Sequence, residues 1–253
     1  EVPTKAAGMF TTNQICAAPV KLCVEHIADG NAQAVVINSG NANACTGPRG
    51  LKDAHEMAAL LADELLLQPT DVLVGSTGRI GLPMPMPNIR AGIREIVKEL
   101  DNAPSAAHHA AEAIMTSDTH AKEIAVEFKL GGKSGKTVRL GGIGKGAGMI
   151  QPGMSPTGAR PASAPLHATM LAYLTTDAKV DARTLRTCLR EAVASSFNCI
   201  TVDGDMSTND TVLILANGLA GNKKLSARDL KIFQAALNHV CLELAKMIVR
   251  DGE

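Results

Sequence analysis

Apolar positions follow two rhythms along this chain. Short runs such as Ala34-Val35-Val36-Ile37-Asn38 and Val72-Leu73-Val74 have the length of buried strands. Residues 53–67 place Met57, Leu60, Leu61 and Leu65 three and four apart, which lines one face of a helix, and Asp53 is its predicted cap. A second helix is predicted over 105–115. Segments 124–128 and 138–140 flank the turn Gly131-Gly132-Lys133-Ser134-Gly135-Lys136 and predict a hairpin. A glycine-rich run, 141–148, and a loop holding Pro152, Pro156, Pro161 and Pro165 follow, and neither can be regular helix. Beyond residue 169 the rhythm resumes: a helix over 183–196, strands at 200–202 and 212–215, and a long helix from Ala227 with Ser226 and Asp229 as its capping box. This alternation predicts a mixed α/β fold without internal repeats.

Composition narrows the function. The 253 residues are 45% hydrophobic, enough for a sizeable core, and 25 basic residues balance 25 acidic ones, so no face of uniform charge is advertised. Aromatics make up 2%, which removes the stacking platforms of single-strand binders; no nucleic-acid partner is expected. The six cysteines form no CxxC pair and no finger spacing, so no metal is expected. Their apolar flanks, as around Cys199 and Cys241, predict mostly buried thiols in a reducing compartment, the cytoplasm. The ends at Glu1 and Glu253 read as fragment ends. No leader is seen and no apolar run approaches the roughly 20 residues of a membrane helix.

Several motifs have plain readings. Gly135-Lys136-Thr137 lacks the upstream glycine of a phosphate loop and continues into a strand rather than a helix. His108-His109 reads as an exposed helical pair, and His120 with Glu123 lacks metalloprotease spacing. Asp203-Gly204-Asp205 followed by Asn209-Asp210 is closer to a turn of backbone-capping groups than to a calcium loop. Two strand-end segments are harder to set aside: Asn38-Ser39-Gly40-Asn41-Ala42-Asn43-Ala44 and Gly75-Ser76-Thr77-Gly78-Arg79-Ile80-Gly81. Strand-end loops carry sites in α/β proteins. A hydroxyl beside a glycine N–H, as in Thr77-Gly78, is oxyanion-hole equipment, although a plain turn uses the same residues.

In order, Gly40-Asn41-Ala42-Asn43-Ala44, Ser76-Thr77-Gly78-Arg79-Ile80-Gly81, Met115-Thr116-Ser117-Asp118-Thr119, Lys145-Gly146-Ala147-Gly148-Met149-Ile150 and Ala168-Thr169-Met170-Leu171 resemble the ornithine acetyltransferase, or glutamate N-acetyltransferase, family. Further matches at Ser195-Ser196-Phe197-Asn198, at 203–210 and at 245–253 extend the resemblance over essentially the whole chain.

The resemblance implies an α/β fold of stacked sheets flanked by helices. It also implies self-cleavage between Ala168 and Thr169, which divides the chain into an α-chain portion, 1–168, and the start of a β-chain, 169–253. By the same resemblance, Thr169 is the nucleophile that carries acetyl from N-acetylornithine to glutamate in arginine biosynthesis. Thr77 and Gly78 form the oxyanion pair, and Thr116, Lys145, Thr169 and Glu253 bind substrate. Lys145 would meet a carboxylate and Glu253 an amino group. No cofactor is implied, although some relatives accept acetyl-CoA as co-substrate. The assembly implied is α2β2, and no membrane is involved. A self-processing threonine amidohydrolase or aminopeptidase of the same fold, and an uncut remnant that only binds, are the alternatives. Relatives lack residues 155–167 and continue beyond the position of Glu253.

Overall fold

The computed structural model describes residues 2–132, 135–159 and 170–253. The strands are β1 (Lys5–Phe10), β2 (Ala34–Asn41), β3 (Val72–Arg79), β4 (Lys122–Leu130), β5 (Lys136–Lys145), β6 (Leu171–Thr176) and β7 (Thr211–Ala216). The helices are α1 (Ala18–His26), α2 (Gly47–Leu65), α3 (Met86–Ile96), α4 (Pro104–Ala113), α5 (Ala182–Ala194) and α6 (Ala227–Arg250).

Five strands form one sheet in the order β1-β7-β6-β5-β4, and β2 pairs with β3 in a second, parallel pair. Within the large sheet only β6 and β7 run parallel. Side chains on its central strands alternate between two cores, as the pleat requires. Ala172, Leu174, Val212 and Ile214 join Leu189, Phe233 and Leu244 beneath α5 and α6. Leu171, Tyr173 and Leu213 point the other way and pack with Val36, Val74, Leu22 and Met57 of β2, β3, α1 and α2. The layers are therefore helices, five-stranded sheet, two-stranded sheet and helices, the stacked α/β arrangement expected.

Both predicted hairpin strands are present and paired antiparallel, with Leu130 opposite Lys136; Lys133 and Ser134 of the turn lie outside the described residues. Much of the glycine run is strand β5. A Cβ at Gly142 would lie 2.4 Å from Leu174 and 3.1 Å from Leu244, so the missing side chain lets α6 settle onto the sheet. The Ser226–Asp229 capping box opens α6 as predicted.

Three expectations are corrected. Asp53 does not cap α2, which starts at Gly47 with Pro48 in its first turn, where proline's fixed φ suits a helix start; Asp53 is buried within the helix. Residues 200–202 are not a strand: they follow a 3-10 turn, Phe197–Cys199, and Val202 N–H bonds the Ile150 carbonyl instead of a ladder. The cysteines are free and only Cys23, Cys188 and Cys241 are buried, whereas Cys45 and Cys199 are exposed. Burial pushes the Cys188 thiol up to about 11 and those of Cys23 and Cys241 to about 12.

The 24 residues of α6 are long and apolar enough to cross a membrane by length and composition alone. The helix spends its apolar face on the core, burying Phe233, Leu237, Val240, Cys241, Leu244, Ala245 and Ile248.

Candidate active site

The expected site residues that are described, Thr77, Gly78, Thr116, Lys145 and Glu253, gather at one end of the stacked sheets, where a ring of contacts links the elements that carry them. At the tips of β2 and β3, Ser39 lies opposite Thr77 and Gly40 opposite Gly78; a bulge at Asn41 re-aims both ends. Gly78 has φ 124°, and a Cβ there would lie 2.3 Å from the Gly40 carbonyl carbon, so the strand tips approach as only glycine permits. Thr77 is 2% exposed.

Ser39 donates to the Ala113 carbonyl at 2.7 Å, which docks the end of α4 beside the strand tips; Thr116 follows three residues later and is exposed. Lys145, last in β5, is 3% exposed and donates to the Thr116 hydroxyl at 2.8 Å. Lys145 lies opposite Leu171, and Leu171 opposite Thr211. Just before these two residues stand Met170 and Asp210, whose carboxylate Oδ1 accepts the Met170 N–H. Asn209 closes the ring by donating to the carbonyls of Ala42, at 2.7 Å, and Ser76, at 2.8 Å.

Glu253 is exposed; its N–H reaches the Ala147 carbonyl at 3.1 Å and its carboxylate lies against Gly148, on the loop that follows Lys145. Thr77, Gly78, Thr116, Lys145 and Glu253 thus share one end of the molecule. Ala168 and Thr169 lie outside the described residues, and the ring surrounds the point where the described chain resumes, at Met170.

A second tier of charge supports the first. Asp118 accepts from Lys122 Nζ at 2.7 Å and from the Gly146 N–H at 2.6 Å through Oδ1, and from the Thr116 N–H at 3.1 Å through Oδ2; Lys145 Nζ is 3.6 Å away. Lys122, fully buried, also bonds Asp251, which accepts from Thr119. Burial pulls the Lys145 amine below its ordinary pKa, and Asp118 opposes that pull. Burial pushes the Asp118 carboxyl up, but Lys145, the Gly146 N–H and Lys122 outweigh it and leave it low. Asp251 is likewise penalised by burial, yet Lys122 and Thr119 hold it at about 2. Burial drives Asp210 well above the ordinary carboxyl value, against the Met170 N–H and the charge of Lys145.

Sequence reasoning assigned no role to Asp118, Lys122 or Asp251, and read Asn209 and Asp210, with Asp203 and Asp205, only as backbone-capping groups of a turn; both do bond backbone groups, of Ala42, Ser76 and Met170. Lys122 opens a strand among charged neighbours, so local pattern reads it as solvent-facing. Asp118 and Asp210 stand inside motif segments, and that proximity was the available signal. His108 and Asp203 behave plainly: His108 pairs with Glu123 at 2.8 Å on the surface, and Asp203 caps the backbone N–H groups of Met149, Ile150 and Asp205.

A model described as the ArgJ family matches residues 1–253. The chain is 50% identical over 254 residues to the arginine biosynthesis bifunctional protein ArgJ of Symbiobacterium thermophilum, covering 100% of this chain and 59% of that protein. It is 48% identical over 249 residues to a glutamate N-acetyltransferase of Methanocaldococcus jannaschii, covering 98% of this chain and 57% of that one. The chain therefore spans less than three-fifths of the length of these curated relatives.

Among solved structures, the arginine biosynthesis bifunctional protein ArgJ from Bacillus halodurans matches at 44% identity with a TM-score of 0.57, over 61% of this chain and 79% of that chain. Ornithine acetyltransferase from Mycobacterium tuberculosis, solved with ornithine, matches at 36% identity and a TM-score of 0.52, over 60% and 78%. An L-aminopeptidase D-Ala-esterase/amidase from Ochrobactrum anthropi, described as a variant of the Ntn hydrolase fold, shares the fold at 12% identity and a TM-score of 0.52, over 98% of this chain and 73% of that chain. With the family model matching along its whole length, this chain belongs to the ArgJ family.

Proposed function

We propose that this chain, as part of its full protein, transfers acetyl from N-acetylornithine to glutamate through an ester on Thr169, after cutting itself between Ala168 and Thr169. The observation that carries the reading is the ring of Thr77, Gly78, Thr116, Lys145 and Asp210 around Met170, the residue that follows the nucleophile.

The cut needs no added reagent except water. The Thr169 hydroxyl oxygen attacks the Ala168 carbonyl carbon, the C–N bond breaks, and the hydroxyl proton passes to the departing nitrogen, leaving an ester. Water then opens the ester, returning a proton to the Thr169 oxygen and leaving a carboxylate on Ala168. The freed α-amine, with an ordinary pKa of about 7.7 to 8.0, is the base beside its own hydroxyl. In turnover the hydroxyl takes acetyl from the amide of N-acetylornithine, the α-amine relays the proton to the leaving amine of ornithine, and glutamate's amine accepts acetyl from the ester. An amide is exchanged for an amide, so the cycle requires no cofactor; acetyl-CoA is an alternative acetyl donor.

Thr77 Oγ1 and the Gly78 N–H face the oxygen that becomes negative in each tetrahedral intermediate. Thr77→Ala is expected to slow transfer by about 100- to 1000-fold. The buried Lys145 ammonium, already set against Thr116, receives a substrate carboxylate, and Glu253 receives an amino group. Assembly as α2β2 and a cytoplasmic location complete the proposal.

The test is the intact mass of the full-length protein beside a Thr169→Ala control. Two pieces ending at Ala168 and beginning at Thr169, absent from the control, are expected, followed by acetyl transfer from N-acetylornithine to labelled glutamate. Release of acetate without transfer would favour amide hydrolysis. A chain that stays whole would favour a remnant that only binds.

A further inference from the structure

Two buried lysines flank one carboxylate, and only one of them is bonded to it. Lys122, first in β4, and Asp118 have side chains with no exposed surface. The three protons of the Lys122 ammonium have three acceptors: Asp118 Oδ1 at 2.7 Å, Asp251 Oδ2, and the His120 carbonyl at 3.5 Å. Lys145, last in β5, is buried almost as deeply, yet its Nζ donates to the Thr116 hydroxyl at 2.8 Å and stands 3.6 Å from Asp118 Oδ2. The second distance is within ion-pairing range and beyond a hydrogen bond. Asp118 therefore balances the Lys145 charge without taking one of its protons.

Asp118 does not close that gap because its other bonds hold it. Oδ1 also accepts the Gly146 N–H at 2.6 Å, and Oδ2 accepts the Thr116 N–H at 3.1 Å. Lys122 is the charged donor of the set, and it pulls on Oδ1 while Lys145 faces Oδ2. A carboxylate released from Lys122 would have Lys145 as the nearest cation, and opposite charges attract strongly where water is scarce. A buried ion pair is also a costly way to hold a fold, since apolar residues of similar volume often serve as well. What these charges face explains them better: Thr116 lies two residues before Asp118, Lys145 beside it, and Glu253 two residues after Asp251. The remaining charged group facing Lys145, Asp210, is pushed by burial towards its neutral acid.

We propose that Lys122 is a positioning residue for Lys145: it holds Asp118 near enough to balance the Lys145 charge and too far to capture the ammonium, which stays open to a substrate carboxylate. This rests on the function proposed above, in which Lys145 receives that carboxylate. The role is to keep a binding group free, so it belongs to KM rather than to kcat. In Lys122→Met the freed Asp118 closes on Lys145 and competes with substrate. Neutralising Asp118 as well removes the competitor and leaves one anion, Asp251, to balance one cation, Lys145.

Full-length wild type, Lys122→Met, the double variant Lys122→Met/Asp118→Asn, and Lys145→Met are compared by KM and kcat for N-acetylornithine and glutamate. Lys122→Met is expected to raise KM about 10- to 100-fold, the worth of a hydrogen bond to a charged group, with kcat changed less than KM. The double variant is expected to bring KM back to within a few-fold of wild type, which a purely structural loss, deepened by a second substitution, would not do. Lys122→Met with wild-type KM, or a double variant with KM no lower than the single, would overturn the inference while leaving acetyl transfer intact. If Lys122→Met does not fold, the double variant, whose charges balance, decides: KM near wild type supports the role, and KM as high as that of Lys145→Met overturns it. Lys145→Met with wild-type KM would instead refute Lys145 as the receiver of the carboxylate and, with it, this role.

Discussion

Lys122 illustrates how a single buried charge braces the candidate site from behind. Its ammonium is fully buried between Asp118 and Asp251, and Asp118 in turn holds Thr116 and Gly146 in place. Removing one partner from such a set leaves the remaining charges buried and unpaired. Lys122→Met is therefore expected to destabilise the fold by about 3 to 5 kcal/mol, measured by urea unfolding. A loss below about 1 kcal/mol would show that water reaches the pair. The carboxylates also set an acid limit. Asp251 falls from an ordinary 3.8 to about 2 in the folded state, so the folded chain favours its ionised form. Its contribution is present above pH 3.8 and is lost as pH falls from there towards 2. Asp210 acts with the opposite sign: its raised pKa favours folding at low pH and works against it as pH rises. Stability followed between pH 5 and 2 should decline in wild type and decline less in Asp251→Asn. Lys145 differs from Lys122 because it stands within the ring. Lys145→Met should raise KM roughly 10- to 100-fold, the worth of a hydrogen bond to a charged group, without stopping self-cleavage. Unchanged KM would remove it from substrate binding.

Elements deliver these residues through their ends, and their ends are where substitutions should tell. The β2 and β3 tips meet at Gly40 and Gly78, and Gly78 combines a positive φ with a contact no Cβ can survive. Gly78→Ala should part the tips, moving the Thr77 hydroxyl and the neighbouring N–H together; a kcat drop larger than that of Thr77→Ala is expected in transfer assays. Far from the site, Ser226→Ala removes a cap from α6 and should cost about 1 kcal/mol by thermal unfolding with activity unchanged.

The same elements show what sequence could disclose. The apolar spacing of residues 53–67 found α2, and Ser226 with Asp229 found the start of α6, because both signals are local. The start of α2 was missed because Asp53 looks like a cap, while Pro48 defines the first turn. Ile200-Thr201-Val202 has strand composition but finds no ladder partner; Val202 bonds across to Ile150 instead. Motif order singled out Thr77, Gly78, Thr116, Lys145 and Glu253, residues far apart in the chain that the structure places at one end of the molecule. The buried pairing of Lys122 joins positions 118, 122 and 251, which no local window spans.

On the scale of the whole molecule, the proposed cut runs through one shared sheet rather than between two separable bodies. Strands β1, β5 and β4 belong to residues 1–168, and β6 and β7 to residues 169–253, yet the order is β1-β7-β6-β5-β4. The later piece is inserted between strands of the earlier one, bonded to β1 along one edge and to β5 along the other. Both faces of β6 and β7 are also buried, one against α5 and α6 and the other against β2, β3, α1 and α2. Separating the pieces would expose both cores and break two ladders at once. The cut frees an end at Thr169, and β6 begins two residues later, at Leu171. Scission thus releases an amine close to a strand that cannot leave, which suits a nucleophile that must keep its place through many turnovers. The expected result is that the two pieces elute together in native size-exclusion chromatography, at any dilution at which the uncut Thr169→Ala chain remains folded. They should also melt in a single transition and separate only in denaturant. If the pieces separate natively, the ladder between β5 and β6 does not hold them, and a site built from both pieces could not persist after the cut.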